Sequence, residues 1–161
     1  MTVIADTSPL QYAVEIDAAQ TLFMLYGPIV VPVAVYSEML HPGSPLLLRR
    51  WVEANRRKIQ VQSVQVPGDH QLACLDPGEI EAIVLAQQTP ESLLIIDDAD
   101  GRKEALRRGL RIIGLLGVIR DAGLRGFLDF EGAIQRLRNT GFRLSPEVEA
   151  LVRRQYREQA R

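Results

Sequence analysis

Apolar residues recur along this chain in two rhythms. Short unbroken runs, Val3-Ile4-Ala5, Ile29-Val30-Val31 and Leu93 to Ile96, have the length and the aliphatic, often β-branched character of strands covered on both faces. Arg111-Ile112-Ile113 predicts one more short strand. Residues 59–66, IQVQSVQV, alternate with period two and predict a half-buried strand. Between these runs the apolar spacing is helical. It predicts helices over 9–25, broken near Ala19, and over VAVYSEML after Pro32, stopping before His41-Pro42-Gly43. Further helices are predicted over 46–57, from Asp76-Pro77-Gly78-Glu79 to about Gln88, and over 101–108, 115–123, 129–140 and 146–159. Ser8-Pro9 and Ser145-Pro146 each read as an N-cap followed by Pro at the first helical position.

Strands that alternate with helices imply an α/β fold, three-layer α/β/α, with a mostly parallel central sheet. The length, 161 residues, is that of one domain. In such sheets ligands bind beyond the carboxyl ends of the strands. Asp6 and Asp97-Asp98 follow strands directly and fall at those ends.

Composition changes this picture little. Apolar residues make up 47 % and charged residues 24 %, both ordinary for a globular chain. Cys74 is the one cysteine, so a disulfide framework or a Cys-rich zinc site is excluded, and a reducing, cytoplasmic setting is expected. MTVIADTSPL lacks the basic and apolar regions of a signal peptide, and no run approaches the roughly 18 apolar residues that span a bilayer. No membrane association is expected.

Charge distribution says more than the net charge of −1. Residues 1–100 carry five Lys/Arg and thirteen Asp/Glu; residues 101–161 carry fourteen and seven. An acidic focus beside a basic surface suits carboxylates that hold cations and arginines that hold a polyanion. Solvated Arg-rich helix faces give the same numbers.

The acidic residues each have an ordinary role available. Asp6 can cap the next helix, although Thr7 and Ser8 can do so equally. Glu38 sits in an otherwise apolar helix and can be a surface residue. Asp76 and Glu79 match a capping box, yet Ala82 and Ala86 share the face of Glu79 and leave room above its turn. Asp97, Asp98 and Asp100 crowd one strand end, which costs stability unless a cation or an arginine neutralises them. Taken together, Asp6, Glu38, Glu79 and Asp98 can hold one or two hard cations, Mg²⁺ or Mn²⁺, and support phosphodiester cleavage. No competing set exists: His41 and His70 lie in polar turns, and there is no GxSxG elbow, Lys-bearing phosphate loop or GxGxxG.

At these residues the chain resembles a PIN domain of the VapC-like toxin ribonuclease superfamily, in an uncharacterised PIN-like branch. The likeness rests on Val3-Ile4-Ala5-Asp6-Thr7-Ser8-Pro9-Leu10, on Val31 to Glu38, on Asp76 to Ala86, and on Leu94-Ile95-Ile96-Asp97-Asp98-Ala99-Asp100-Gly101-Arg102, with Arg111 to Gly117 following in order. The resemblance implies that Asp6, Glu38, Glu79 and Asp98 bind Mg²⁺ or Mn²⁺. Glu81, Asp97 and Asp100 are secondary candidates, and Thr7 and Ser8 can donate to a phosphate or a metal water. It further implies an endoribonuclease acting on RNA, a homodimer, a small antitoxin partner, and residues 129–161 as a C-terminal helical extension whose Arg136, Arg138, Arg153, Arg154 and Arg157 can meet RNA, an antitoxin or water. Where the toxins carry Ser or Thr two residues before the last Asp, this chain has Ile96. The alternative from another class is a catalytically weak PIN-like binding or regulatory module. A haloacid-dehalogenase-like phosphatase is disfavoured because Ser8 stands where it needs its second Asp. A receiver domain is disfavoured because no Lys follows the strand at Ile112-Ile113.

Overall fold

The structure, a computed structural model, describes residues 1–161. Five strands form one sheet: β1 (Thr2–Ala5), β2 (Ile29–Pro32), β3 (Ile59–Gln62), β4 (Ser92–Ile95) and β5 (Ile112–Ile113). Their order is β3-β2-β1-β4-β5 and every pairing is parallel. Nine helices surround it: α1 (Thr7–Glu15), α2 (Gln20–Tyr26), α3 (Val33–Leu40), α4 (Leu46–Ala54), α5 (Pro77–Gln88), α6 (Ala99–Arg107), α7 (Leu115–Leu124), α8 (Phe130–Arg138) and α9 (Pro146–Gln159). A 3₁₀ turn covers His70–Leu72. The α/β/α fold expected from the sequence is present. No helix is long and apolar enough to cross a membrane.

The unbroken apolar runs divide by strand periodicity between two cores. Val3, Ala5, Ile29, Val31, Leu93 and Ile95 face one layer, where helices α1, α2, α3, α4, α7, α8 and α9 pack. Ile4, Val30, Leu94 and Ile96 face the other, against Ala82 to Ala86 of α5 and Ala105 of α6. This two-sided burial is why the central strands show no polar alternation. Truncating fully buried Ile4 to Ala would cost about 2–5 kcal/mol.

Strand order decides where a ligand can sit. β1, β2 and β3 proceed in one direction across the sheet, and the chain then crosses back to lay β4 and β5 on the other side of β1. The reversal lies between β1 and β4, whose register pairs Ala5 with Ile95. Asp6 and Asp98 leave the carboxyl ends of these two strands and so flank the switch point.

Two expectations need correction. The predicted strand over 59–66 pairs only as far as Gln62, because its one neighbour, β2, ends at Pro32 opposite it. Of those eight residues Ile59 alone is buried; Val61 and Val66 are exposed. The first helix begins at Thr7 rather than after Ser8, which puts Asp6 in the N-cap position and Pro9 inside the first turn. Proline is tolerated there because the first-turn N–H groups have no intrahelical partner. The break near Ala19 is real and separates α1 from α2.

Candidate metal centre

Asp6 extends the sheet by one rung, its backbone N–H donating to the Ile95 carbonyl at 3.0 Å. The carboxylate makes no capping hydrogen bond to α1, and the residue is only 3 % exposed. Burial, reinforced by Asp76, Glu38 and Asp98 and partly offset by the Thr7 N–H, pushes its pKa up to about 7. A buried carboxylate with no cation beside it resists ionisation.

Glu38 reaches the same place from the middle of α3. Its Oε2 accepts from the Thr7 hydroxyl at 2.5 Å, and its Oε1 accepts from the Gly78 N–H at 3.1 Å. A Cβ on residue 78 would lie 2.6 Å from Oε1, so only glycine lets the carboxylate settle on the first turn of α5.

Asp76 is the N-cap of α5, its Oδ1 accepting from the Glu79 N–H at 2.8 Å. Carboxylate oxygens of Asp6, Glu38 and Asp76 all lie within 4.8 Å of one another. Sequence reasoning assigned Asp76 to the capping box alone and missed this convergence. The available signal was that an N-cap aspartate spends one oxygen on the helix and presents the other to whatever faces that helix end.

Glu79 completes the capping box, accepting from the Asp76 N–H at 3.2 Å, and is 8 % exposed. Burial first, then Asp76, Asp98 and Asp6, raise its pKa to about 8. It fills the structural role and also feels three of the other acids. Asp98 caps α6 through the Gly101 N–H at 2.8 Å and is exposed, on the rim of the same group. Asp6, Asp76 and Asp98 thus occupy the N-cap positions of α1, α5 and α6. Three helix N-termini, each carrying partial positive charge, make this crowding of carboxylates tolerable.

The secondary candidates sit differently. Glu81 accepts from the Ala34 N–H at 3.1 Å and caps the first turn of α3. Asp97 accepts from the Leu115 N–H at 3.0 Å at the start of α7, and burial raises its pKa to about 6. Asp100 is exposed in the first turn of α6. Thr7 is engaged with Glu38, and Ser8 is half-buried beside it in α1. Cys74 is exposed. Ser37, Glu38, His41 and Ser44 line an open dent at the C-terminal end of α3.

An all-oxygen donor set fits a hard divalent cation and does not fit a soft one. Asp6, Glu38 and Asp76 are the residues close enough to share it, with Glu79 and Asp98 adjacent.

Several arginines of the C-terminal helices are already engaged. Arg136 donates to the Ile16 carbonyl at 2.8 Å, Arg138 pairs with Glu149, and Arg153 pairs with both Glu131 and Glu149. Ile16 lies at the far end of α1, about 15 Å along the helix from Asp6.

Comparison with known proteins agrees with this fold. The structure is similar to that of a PilT N-terminus domain protein, SSO1118, from the hyperthermophilic archaeon Sulfolobus solfataricus P2. The TM-score is 0.53 at 19 % identity, over 73 % of this chain and 90 % of that one, a likeness of fold. A search of curated proteins matched no relative. The model of the DUF3368 family, described as a PIN domain, matches residues 2–158, and the chain belongs to that family.

Proposed function

We propose that this protein is a Mg²⁺- or Mn²⁺-dependent endoribonuclease that cleaves RNA phosphodiester bonds, with Asp6, Glu38, Glu79 and Asp98, joined by Asp76, as the carboxylates that hold the cation. The observation that carries the reading is the convergence of Asp6, Glu38 and Asp76 on one cation-sized space at the switch point of the sheet. When bound there, such a cation supplies Lewis acidity to a phosphodiester oxygen and a water acidic enough to attack near neutral pH.

The chain's own residues supply position and charge. Thr7 and Gly78 fix both oxygens of Glu38 before any ligand arrives. Asp6, excluded from water, contributes a charge that little solvent screens. Asp98 keeps its second oxygen available at the open rim. Asp76 and Glu79 tie the first turn of α5 to the site, so that helix cannot shift without moving two acids.

Membership of the PIN domain family supports the nuclease reading, and by the same resemblance we assign the protein the toxin role of a toxin–antitoxin pair, with a small antitoxin partner, a homodimer and a cytoplasmic setting. The test is cleavage of single-stranded RNA by the purified protein with Mg²⁺ or Mn²⁺. Cleavage is expected to stop with EDTA and in both Asp6→Asn and Asp98→Asn. Unchanged cleavage in the two variants would overturn the assignment.

A further inference from the structure

The sheet ends abruptly where Asp98 leaves it. Along β4 and just past it, the Leu94 N–H donates to the Arg111 carbonyl at 2.9 Å and the Ile96 N–H to the Ile113 carbonyl at 3.0 Å. A parallel ladder in this register would next join the Leu115 N–H to the Ile96 carbonyl. That rung does not form, and side chains take both of its groups instead. The Leu115 N–H donates to the Asp97 carboxylate, at 3.0 Å to Oδ1 and 3.3 Å to Oδ2. The Ile96 carbonyl accepts from Nη1 of Arg102 at 2.9 Å.

Gly114 makes room for this exchange. A Cβ there would lie 2.6 Å from Oδ1 of Asp97 and 3.0 Å from Nη1 of Arg102, so both side chains close over a backbone that carries none. Its φ of −98° is open to any residue, so the demand is for space alone. Arg102 is half-buried at the strand end beside the acids, yet it joins no salt bridge. It grips the turn from both ends instead: its guanidinium holds the Ile96 carbonyl, and its backbone N–H donates to the Asp98 carbonyl at 2.8 Å. Between those grips Asp98 is tied by its own Oδ2 to the Gly101 N–H. Loss of either outer bond would leave a partly buried donor or acceptor unmet next to Asp98.

We infer that Asp97 and Arg102 are positioning residues for Asp98: by replacing the last β4–β5 rung they hold the turn from Ile96 to Asp98 so that Asp98 stays in place beside Asp6 and Glu79. Asp97 then stands behind a ligand and is not one itself. Its carboxylate is spent on the Leu115 N–H, so its task needs an acceptor and not a charge. The task of Arg102 needs a donor at the Ile96 carbonyl. The inference rests on the nuclease reading only in treating Asp98 as a ligand of the cation. It adds two residues outside the carboxylate cluster that set the position of one of its members, and it ties the start of α7 to the site.

Two readouts on the full chain test this. In EDTA, the amide NMR signal of Gly101 reports the bond it makes to Asp98; with Mn²⁺, calorimetry gives the affinity. Asp97→Ala removes the acceptor and Arg102→Met the donor. Each is expected to shift the Gly101 signal and to weaken Mn²⁺ binding about tenfold or more, as for loss of a partner behind a ligand. Asp97→Asn and Arg102→Lys keep an acceptor and a donor, and are expected to leave the signal in place and the affinity within about threefold. In an Asp98→Asn background, Asp97→Ala and Arg102→Met are expected to cost less than about twofold more, because they act through Asp98. Gly114→Ala, which keeps both side chains but crowds them, carries the same expectation as Asp97→Ala and replaces either variant whose melting in EDTA shows that it does not fold. A loss in Asp97→Asn as large as in Asp97→Ala would make Asp97 a ligand. An equal loss with and without the Asp98 carboxylate would make the two residues general supports of the fold. Either result overturns the proposal, as does an unmoved Gly101 signal in Asp97→Ala and Arg102→Met. RNA cleavage by the wild-type chain is scored separately. The expected order of variants without cleavage removes the nuclease reading and keeps the positioning pair; cleavage without coupling between residues 97 and 98 removes the pair alone. If no Mn²⁺ binds, the nuclease reading fails and the Gly101 signal decides the pair.

Discussion

Two groups of carboxylates in this protein meet opposite electrostatic fates. Along α6, Glu104 pairs with Arg107 and Arg108, and Arg108 also holds Asp69. The Arg107 contact, ahead of the Arg108 contact, holds Glu104 down to about 2, and Arg108 holds Asp69 below its usual value. Glu149 in α9 sits likewise between Arg138 and Arg153. At the strand ends, Asp6, Glu38, Asp76, Glu79 and Asp98 form no salt bridge, and burial drives Asp6 to about 7 and Glu79 to about 8. The chain has arginines to spare and neutralises carboxylates with them elsewhere. Leaving one cluster without an arginine is the arrangement that the proposed cation site requires.

This contrast can be broken from either side. The largest effect is expected on the uncompensated side. Asp6→Asn and Asp98→Asn should each lower metal-dependent RNA cleavage by more than about 100-fold, since loss of a ligand should exceed the 10- to 100-fold typical of losing a partner behind one. Initial rates on single-stranded RNA check this, and a loss under about tenfold in both would place the cation elsewhere.

Next comes pH. Asp6, Glu79 and Asp97 have native pKa values above those of the unfolded chain, so between about pH 4 and pH 8 the native state holds protons that the unfolded state has released. Their contribution to stability is complete below about pH 4 and is lost as pH rises through about 6, 7 and 8. In EDTA, Asp6→Asn should therefore be more stable than wild type at pH 8, by about 4 kcal/mol at most, with the difference vanishing near pH 4. Mg²⁺ at pH 8 should raise the melting temperature of wild type and leave that of Asp6→Asn nearly unchanged. A wild-type chain that is the more stable of the two in EDTA at pH 8 would contradict the buried-charge account.

Breaking the compensated side should do the reverse. Glu149→Ala leaves Arg138 unpaired and Arg153 with Glu131 alone, and because both arginines remain partly in water the cost is about 1 kcal/mol, a few degrees in melting temperature. Mn²⁺ affinity by calorimetry should not change. The smallest effect distinguishes a cap from a ligand at Glu81. Glu81→Gln keeps an oxygen to accept from the Ala34 N–H and should hold Mn²⁺ within about twofold, while Glu81→Ala should cost about 1 kcal/mol of stability as a lost cap. A tenfold loss of Mn²⁺ affinity in Glu81→Gln would make Glu81 a ligand.

Much of this was legible in the sequence, for a physical reason that also explains what was not. Asp6 and Asp98 follow apolar strands directly, so the α/β pattern places them at strand ends without any coordinates. Asp76 was hidden because its capping box accounted for it completely along the chain. Only the approach of α3, which brings Glu38 onto Gly78, shows that the cap and the cluster share a carboxylate. The same ambiguity holds at Asp98, which caps α6, whereas Asp6 occupies the N-cap position of α1 without a capping bond, a difference local sequence cannot show. The strand over 59–66 was overread because period-two spacing reports a chain's readiness to pair and says nothing of where its neighbour ends.

The most direct test of the uncompensated cluster is a crystal structure of the full chain soaked in Mn²⁺, read by anomalous scattering. The account predicts a peak bonded to carboxylate oxygens of Asp6, Glu38 and Asp76 or their immediate neighbours Glu79 and Asp98, and none at the arginine-paired acids Glu104 or Glu149. A crystal at pH 8 and millimolar Mn²⁺ with no peak at Asp6, or with its peak held by other residues, would contradict it.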